Sequence, residues 1–118
     1  MIFTLTHEPM AKLTLTPEVM TLVAERFKTL AEPARLQILD CLRRGERTVS
    51  DLVEQTGLGQ ANVSKHLQLL HAHGFVARRK EGLFVFYALS DARVFQLCDL
   101  MCDRLSAELA SRRRVLAS

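Results

Sequence analysis

Residues 48–80 read TVSDLVEQTGLGQANVSKHLQLLHAHGFVARRK, two helical patterns separated by a glycine-bounded turn and followed at once by a β-forming run that ends in three cations. Ser50 is expected to cap a short helix over Asp51 to Thr56, with an acidic first turn and Gly57 at its end. Gly57, Leu58 and Gly59 form the tight turn. A second helix is expected from Gln60 to about His73, with Val63, Leu67 and Leu70 facing inward and Gly74 stopping it. Phe75 to Lys80 and Leu83 to Leu89 are rich in β-formers and flank Glu81 and Gly82, which is hairpin chemistry.

Outward from this stretch the pattern stays helical. Thr16, Pro17 and Glu18 have the chemistry of a helix start, and Val19, Leu22, Val23, Phe27 and Leu30 follow at helical spacing. Pro33 opens another helix, in which Leu36, Ile38, Leu39 and Leu42 are apolar, Cys41 is included and Gly45 ends the run. Ser90 and Asp91 open a last helix whose Val94, Leu97, Cys98, Met101 and Leu105 make one apolar stripe. The expected fold is mainly α with a small β-hairpin, in the order α-α-α-α-β-β-α. Residues 1–16 form an N-terminal arm and residues 17–118 one domain.

Composition sets the outer bounds. The 118 residues are 48% hydrophobic and 25% charged, with five glycines and three prolines, inside the normal range for a globular domain. Lys and Arg outnumber Asp and Glu by 16 to 13, which suits an anionic partner without requiring one. The first residues lack an export signal, and no apolar run approaches the roughly 20 residues that cross a bilayer. Three cysteines without an export signal read as reduced thiols, so a cytoplasmic protein without a membrane partner is expected. The chain has no Gly-rich phosphate loop, nucleophile motif or His-Glu metalloenzyme cluster, so no enzyme is expected.

On a helical wheel, residues 60–73 place Ala61, Ser64, Lys65 and Gln68 opposite the apolar side. That face is polar, compact and nearly uncharged. Small residues let such a helix enter a major groove, where Gln60, Asn62 and Ser64 reach base edges and Lys65 a base or phosphate. Taken alone, the stretch reads equally well as a solvated helix face. Arg78, Arg79 and Lys80, beside the tip of a hairpin that directly follows a helix-turn-helix, tip the reading to double-stranded DNA. A protein-binding module would need an apolar reading face instead.

From about Phe27 to Leu105 the chain resembles the ArsR/SmtB family of bacterial metal- and thiol-responsive repressors. The resemblance rests on LAEPARLQIL (30–39), TVSDLVEQTGLGQANVSKHLQLLHAHGFV (48–76) and RRKEGLFVFYALSD (78–91). It implies a winged helix-turn-helix, a homodimer built from the first and last helices, a palindromic operator and release by an inducer, with no cofactor required for DNA binding. It also implies that Gln60, Asn62, Ser64, Lys65 and His66 face DNA, with Arg78, Arg79 and Lys80 in the wing. Thr48 and Ser50 are candidate phosphate contacts. His66 reads equally as a structural residue bonding within the head.

The family's Cys-x-Cys pair at the third helix is missing, since the chain there reads Glu46-Arg47-Thr48-Val49-Ser50. The last-helix zinc pattern is missing too, because Asp91-Ala92-Arg93 is followed by no histidine. What remains is Cys98 and Cys102, four apart on one helix face with Cβ atoms about 5–6 Å apart, and Cys41. Two thiolates at that spacing can clasp a soft ion such as As(III), Cd(II) or Pb(II), with Cys41 as a third donor. A redox or persulfide switch on the same thiols and inert core thiols are the two alternatives.

Overall fold

A computed structural model describes residues 14–117; most of the expected N-terminal arm, residues 1–13, lies outside the described residues. The elements run α1 (Pro17–Leu30), α2 (Pro33–Leu42), α3 (Val49–Thr56), α4 (Gln60–Ala72), β1 (Val76–Glu81), β2 (Phe84–Leu89) and α5 (Val94–Ala117).

Each boundary has a local cause. Thr16 caps α1 by accepting from the Val19 amide at 3.2 Å, and Pro17 occupies its first turn, where a missing N–H costs nothing. Glu32 caps α2 in the same way, through Ala34 N at 3.3 Å. At α3 the expectation is corrected: Thr48, not Ser50, is the cap. Its hydroxyl accepts from Asp51 N at 3.1 Å while its own amide donates to Asp51 Oδ2 at 3.0 Å. This reciprocal capping box satisfies two orphan amides, starts the helix at Val49 and leaves Ser50 inside the first turn.

Gly57 ends α3 with φ +77°, a left-handed conformation that glycine adopts without Cβ strain. The hairpin turn is also shifted from expectation. Glu81 pairs with Phe84, so the two turn residues are Gly82 and Leu83. Gly82, at φ +61°, supplies the positive φ that a two-residue hairpin turn needs at its first position. The last helix begins at Val94, after a turn in which Asp91 Oδ1 accepts from Arg93 N at 2.9 Å.

The core lies where α2, α3 and α4 meet the hairpin. Ile38, Leu39, Leu42, Leu52, Val63, Leu67, Leu70, Val76, Tyr87 and Phe95 are buried together. Val63, Leu67 and Leu70 recur at helical spacing, so burying them orients the opposite side of α4 outward. The hairpin gains a third attachment that its own sequence does not announce: Arg47 and Tyr87 exchange backbone hydrogen bonds of 3.0 and 2.8 Å. The wing is therefore tied to the loop between α2 and α3.

Helices α1 and α5 are covered less. Met20, Leu22 and Phe27 on α1, and Leu97, Met101, Leu105 and Leu109 on α5, remain exposed. No described helix is long and apolar enough to cross a membrane.

Candidate nucleic-acid interface

Packing of α4 through its apolar side leaves Gln60, Ala61, Asn62, Lys65 and Gln68 exposed and Ser64 half-buried. Gly59 precedes the helix without a side-chain cap, so no side chain competes for the first amides, where the helix dipole favours an anion. No acidic residue occurs in α4. The surface is thus a shallow, donor-rich ridge suited to a major groove.

His66 departs from that ridge. It is only 8% exposed, and its Nδ1 accepts from Arg35 Nε at 3.1 Å. Arg35 also donates from Nη1 to the Thr29 carbonyl at 3.1 Å, which joins the end of α1 to α2 and α4. Burial, followed by the nearby Arg35 charge, pushes the His66 pKa below its ordinary value. A neutral ring keeps the lone pair that accepts from Arg35. Among the readings for His66, the geometry favours the bond within the head.

Thr48 is half-buried, with its hydroxyl engaged in the cap, and Ser50 stands exposed in the first turn of α3. In the wing, Arg78, Arg79 and Lys80 are all exposed, but strand alternation sends Arg79 to the face opposite the other two. Arg79 Nε and Nη2 each meet a Glu46 carboxylate oxygen at 2.8 Å, and Nη1 meets Glu81 Oε1 at 2.7 Å. Its guanidinium also lies 4.7 Å from the centre of the Phe86 ring. Among the described residues, Arg78 and Lys80 form no ion pair. Sequence alone does not separate the three cations, because the carboxylate that pairs with Arg79 comes from Glu46, in another loop.

The cysteines are distributed from core to surface. Cys41 is buried among Ile38, Leu39 and Leu42, Cys98 is half-buried against that core, and Cys102 is exposed; all are free thiols. Burial first, then Cys102 and Asp99, push the Cys98 thiol above its ordinary pKa, against a smaller opposing influence of Arg43. Among the described residues, no three His, Cys, Asp or Glu side chains gather closely enough to hold a metal ion.

The model of the bacterial regulatory protein, arsR family, matches residues 32–78, from the cap of α2 to the wing. A transcriptional repressor SmtB homolog of Synechocystis is 36% identical over 94 residues, covering 75% of this chain and 71% of that protein. The chain belongs to the arsR family. Another relative, the probable mercury resistance operon repressor of Streptomyces lividans, is 42% identical over 74 residues, 63% of this chain. The alignment spans 59% of that relative's length, less than two thirds of it. Among solved structures, the homodimeric winged helix-turn-helix DNA-binding domain of a possible ArsR-family regulator from Mycobacterium bovis superposes with a TM-score of 0.71. It is 34% identical, covering 84% of this chain and 95% of that one. The fold is therefore the arsR winged helix-turn-helix, with α3 and α4 as its two-helix head and β1–β2 as its wing.

Proposed function

We propose that the chain is a cytoplasmic transcriptional repressor that binds a palindromic operator as a homodimer and is released by a soft metal or metalloid ion at Cys98 and Cys102. The observation that carries the DNA reading is the exposed set Gln60, Asn62 and Lys65 on α4, with the wing cations Arg78 and Lys80, which form no ion pair among the described residues. Donors on α4 read base edges, and the wing cations neutralise flanking phosphates. Ser64 adds a short donor on the same ridge, and Ser50 and Thr48 lie at the start of α3, where a phosphate would meet the helix dipole.

Uncovered apolar residues on both α1 and α5 support the dimer, because a second copy related by a two-fold axis would bury the same stripes at once. The Mycobacterium bovis domain is homodimeric by its own description. Two equivalent heads call for two equivalent half-sites.

For the inducer, Cys98 and Cys102 stand one helical turn apart on α5, and burial, followed by the nearby Cys102, raises the Cys98 thiol pKa. A raised thiol pKa lowers the thiolate fraction on which oxidant and persulfide chemistry depends. A soft ion must displace the same protons, but two sulfurs bound to one ion can offset that cost. Arsenite, Cd(II) and Pb(II) have that character, and the Streptomyces relative is named for mercury resistance. Cys41, buried in the core, has a packing role, and among the described residues no third donor gathers with Cys98 and Cys102.

The test is fluorescence anisotropy of the DNA upstream of the protein's own gene, first with reduced protein and then with arsenite, cadmium, lead, peroxide or persulfide. Binding followed by release with a soft ion, abolished in Cys98→Ser, supports the proposal. Release by oxidant or persulfide alone assigns the thiols to redox sensing. Tight binding that none of the challenges relieves makes them core thiols only.

A further inference from the structure

We infer that Arg79 is a positioning residue for the wing: with Glu46 it clamps β1 to the loop between α2 and α3, and it does not itself neutralise a DNA phosphate. The inference rests on the DNA-binding reading above and divides the wing cations into two kinds.

Three observations converge on the clamp. First, the Arg79 guanidinium meets both oxygens of Glu46 at 2.8 Å and one oxygen of Glu81 at 2.7 Å. A planar fork on a carboxylate fixes direction as well as distance. Secondly, the neighbouring residue, Arg47, exchanges two backbone hydrogen bonds with Tyr87 of β2. The same loop therefore grips one wing strand through its main chain and the other through a side chain. Thirdly, the guanidinium stacks on Phe86, the residue paired with Arg79 across the hairpin. The outer face of the wing is thus fastened at a point adjoining the head.

Electrostatics separates Arg79 from its neighbours. The Arg79 fork is already taken by two carboxylates, so it has little left to offer an approaching phosphate unless the clamp opens. Arg79 holds its proton more tightly than an ordinary arginine, and the Glu46 carboxyl is held below its usual range. Both follow from the same hydrogen bonds. Arg78 and Lys80 project from the opposite face of β1 without such partners and remain available to DNA. Exposed ion pairs contribute little to global stability, so what the clamp governs is the angle of a short hairpin relative to α4.

The experiment compares wild type, Glu46→Gln, Arg79→Ala, Arg79→Lys and the Glu46→Gln/Arg79→Ala double variant by anisotropy on one upstream duplex over a range of salt. Lys65→Ala serves as the phosphate-contact control. Positioning predicts that Glu46→Gln and Arg79→Ala each weaken binding roughly five- to tenfold, and that the double variant is no weaker than either single one. Arg79→Lys should resemble Arg79→Ala, because an ammonium keeps the charge but loses the fork. The salt slope should remain that of wild type in all four, while Lys65→Ala loses part of it.

Tighter binding by Glu46→Gln, rescue by Arg79→Lys, or a slope reduced by about 0.9 in Arg79→Ala would make Arg79 a phosphate contact and overturn the inference. Unchanged affinity in both single variants overturns it as well. Absence of any wild-type DNA binding removes the DNA reading and, with it, the role assigned to Arg79.

Discussion

A histidine with 8% exposure on an otherwise DNA-facing helix poses a local electrostatic problem. Burial first, then the Arg35 that donates to its ring, favour the neutral form of His66, and Lys65 adds a smaller push in the same direction. Glu32 opposes them more weakly than burial and Arg35 disfavour the proton. With the folded pKa below the ordinary value of about 6.5, the unfolded chain binds the proton more readily. The stability contributed by neutral His66 is therefore fully present above the unfolded pKa and is lost as pH falls towards the folded one. Urea unfolding from about pH 7.5 to about pH 5.5 should show a falling midpoint, and His66→Gln should lose the part due to this ring. Identical pH trends in both proteins would contradict the account. In sequence, His66 was legible only as an alternative, because its partner lies 31 residues earlier, in α2. The apolar positions Val63, Leu67 and Leu70 needed no such partner, and helical periodicity alone placed them in the core.

At the scale of an element, α3 shows how a local signal can be present and still be read two residues late. Thr48 and Ser50 are both capable caps, but only Thr48 has an acidic residue, Asp51, three positions ahead to close the reciprocal pair. Thr48→Ala should lower stability by about 1 kcal/mol, whereas Ser50→Ala should change it by less than about 0.5 kcal/mol, as read from urea midpoints. Equal losses would place the cap wrongly. For the wing, alternation along β1 was implicit in the sequence, yet the carboxylate that meets Arg79 comes from Glu46, 33 residues away. Such a pair depends on the folded path of the α2–α3 loop. On the proposed reading the remaining cations contact phosphates, so Arg78→Ala/Lys80→Ala should weaken binding to operator and unrelated DNA alike and lower the salt slope by roughly 1–2. An unchanged slope would remove both from the interface.

For the whole molecule, the radius of gyration of 17.4 Å exceeds the roughly 13–14 Å expected of a compact domain of this size. The excess has a visible source, since α5 alone has 24 residues and extends beyond the head. Leu97, Met101, Leu105 and Leu109 along it stay exposed, as do Met20, Leu22 and Phe27 of α1. The helical spacing of Leu22, Phe27, Leu97, Met101 and Leu105 was readable in the sequence, but which side packs inward and which stays exposed depends on the three-dimensional arrangement. The proposed dimer predicts a mass twice the 13.3 kDa of one chain by light scattering at micromolar concentration. Met101→Glu/Leu105→Glu should shift it towards one chain and weaken operator binding together. A wild-type mass of one chain would contradict that assembly.

The most direct test of the central claim is a paired anisotropy titration of the wild-type protein on the palindromic duplex upstream of its gene and on a scrambled duplex of equal length, at one physiological salt concentration. Saturation is expected at two chains per palindromic duplex, with affinity at least about a thousandfold above that for the scrambled one. Equal affinity for the two duplexes, or no binding to either, would contradict the assignment of α4 and the wing as a sequence-reading head.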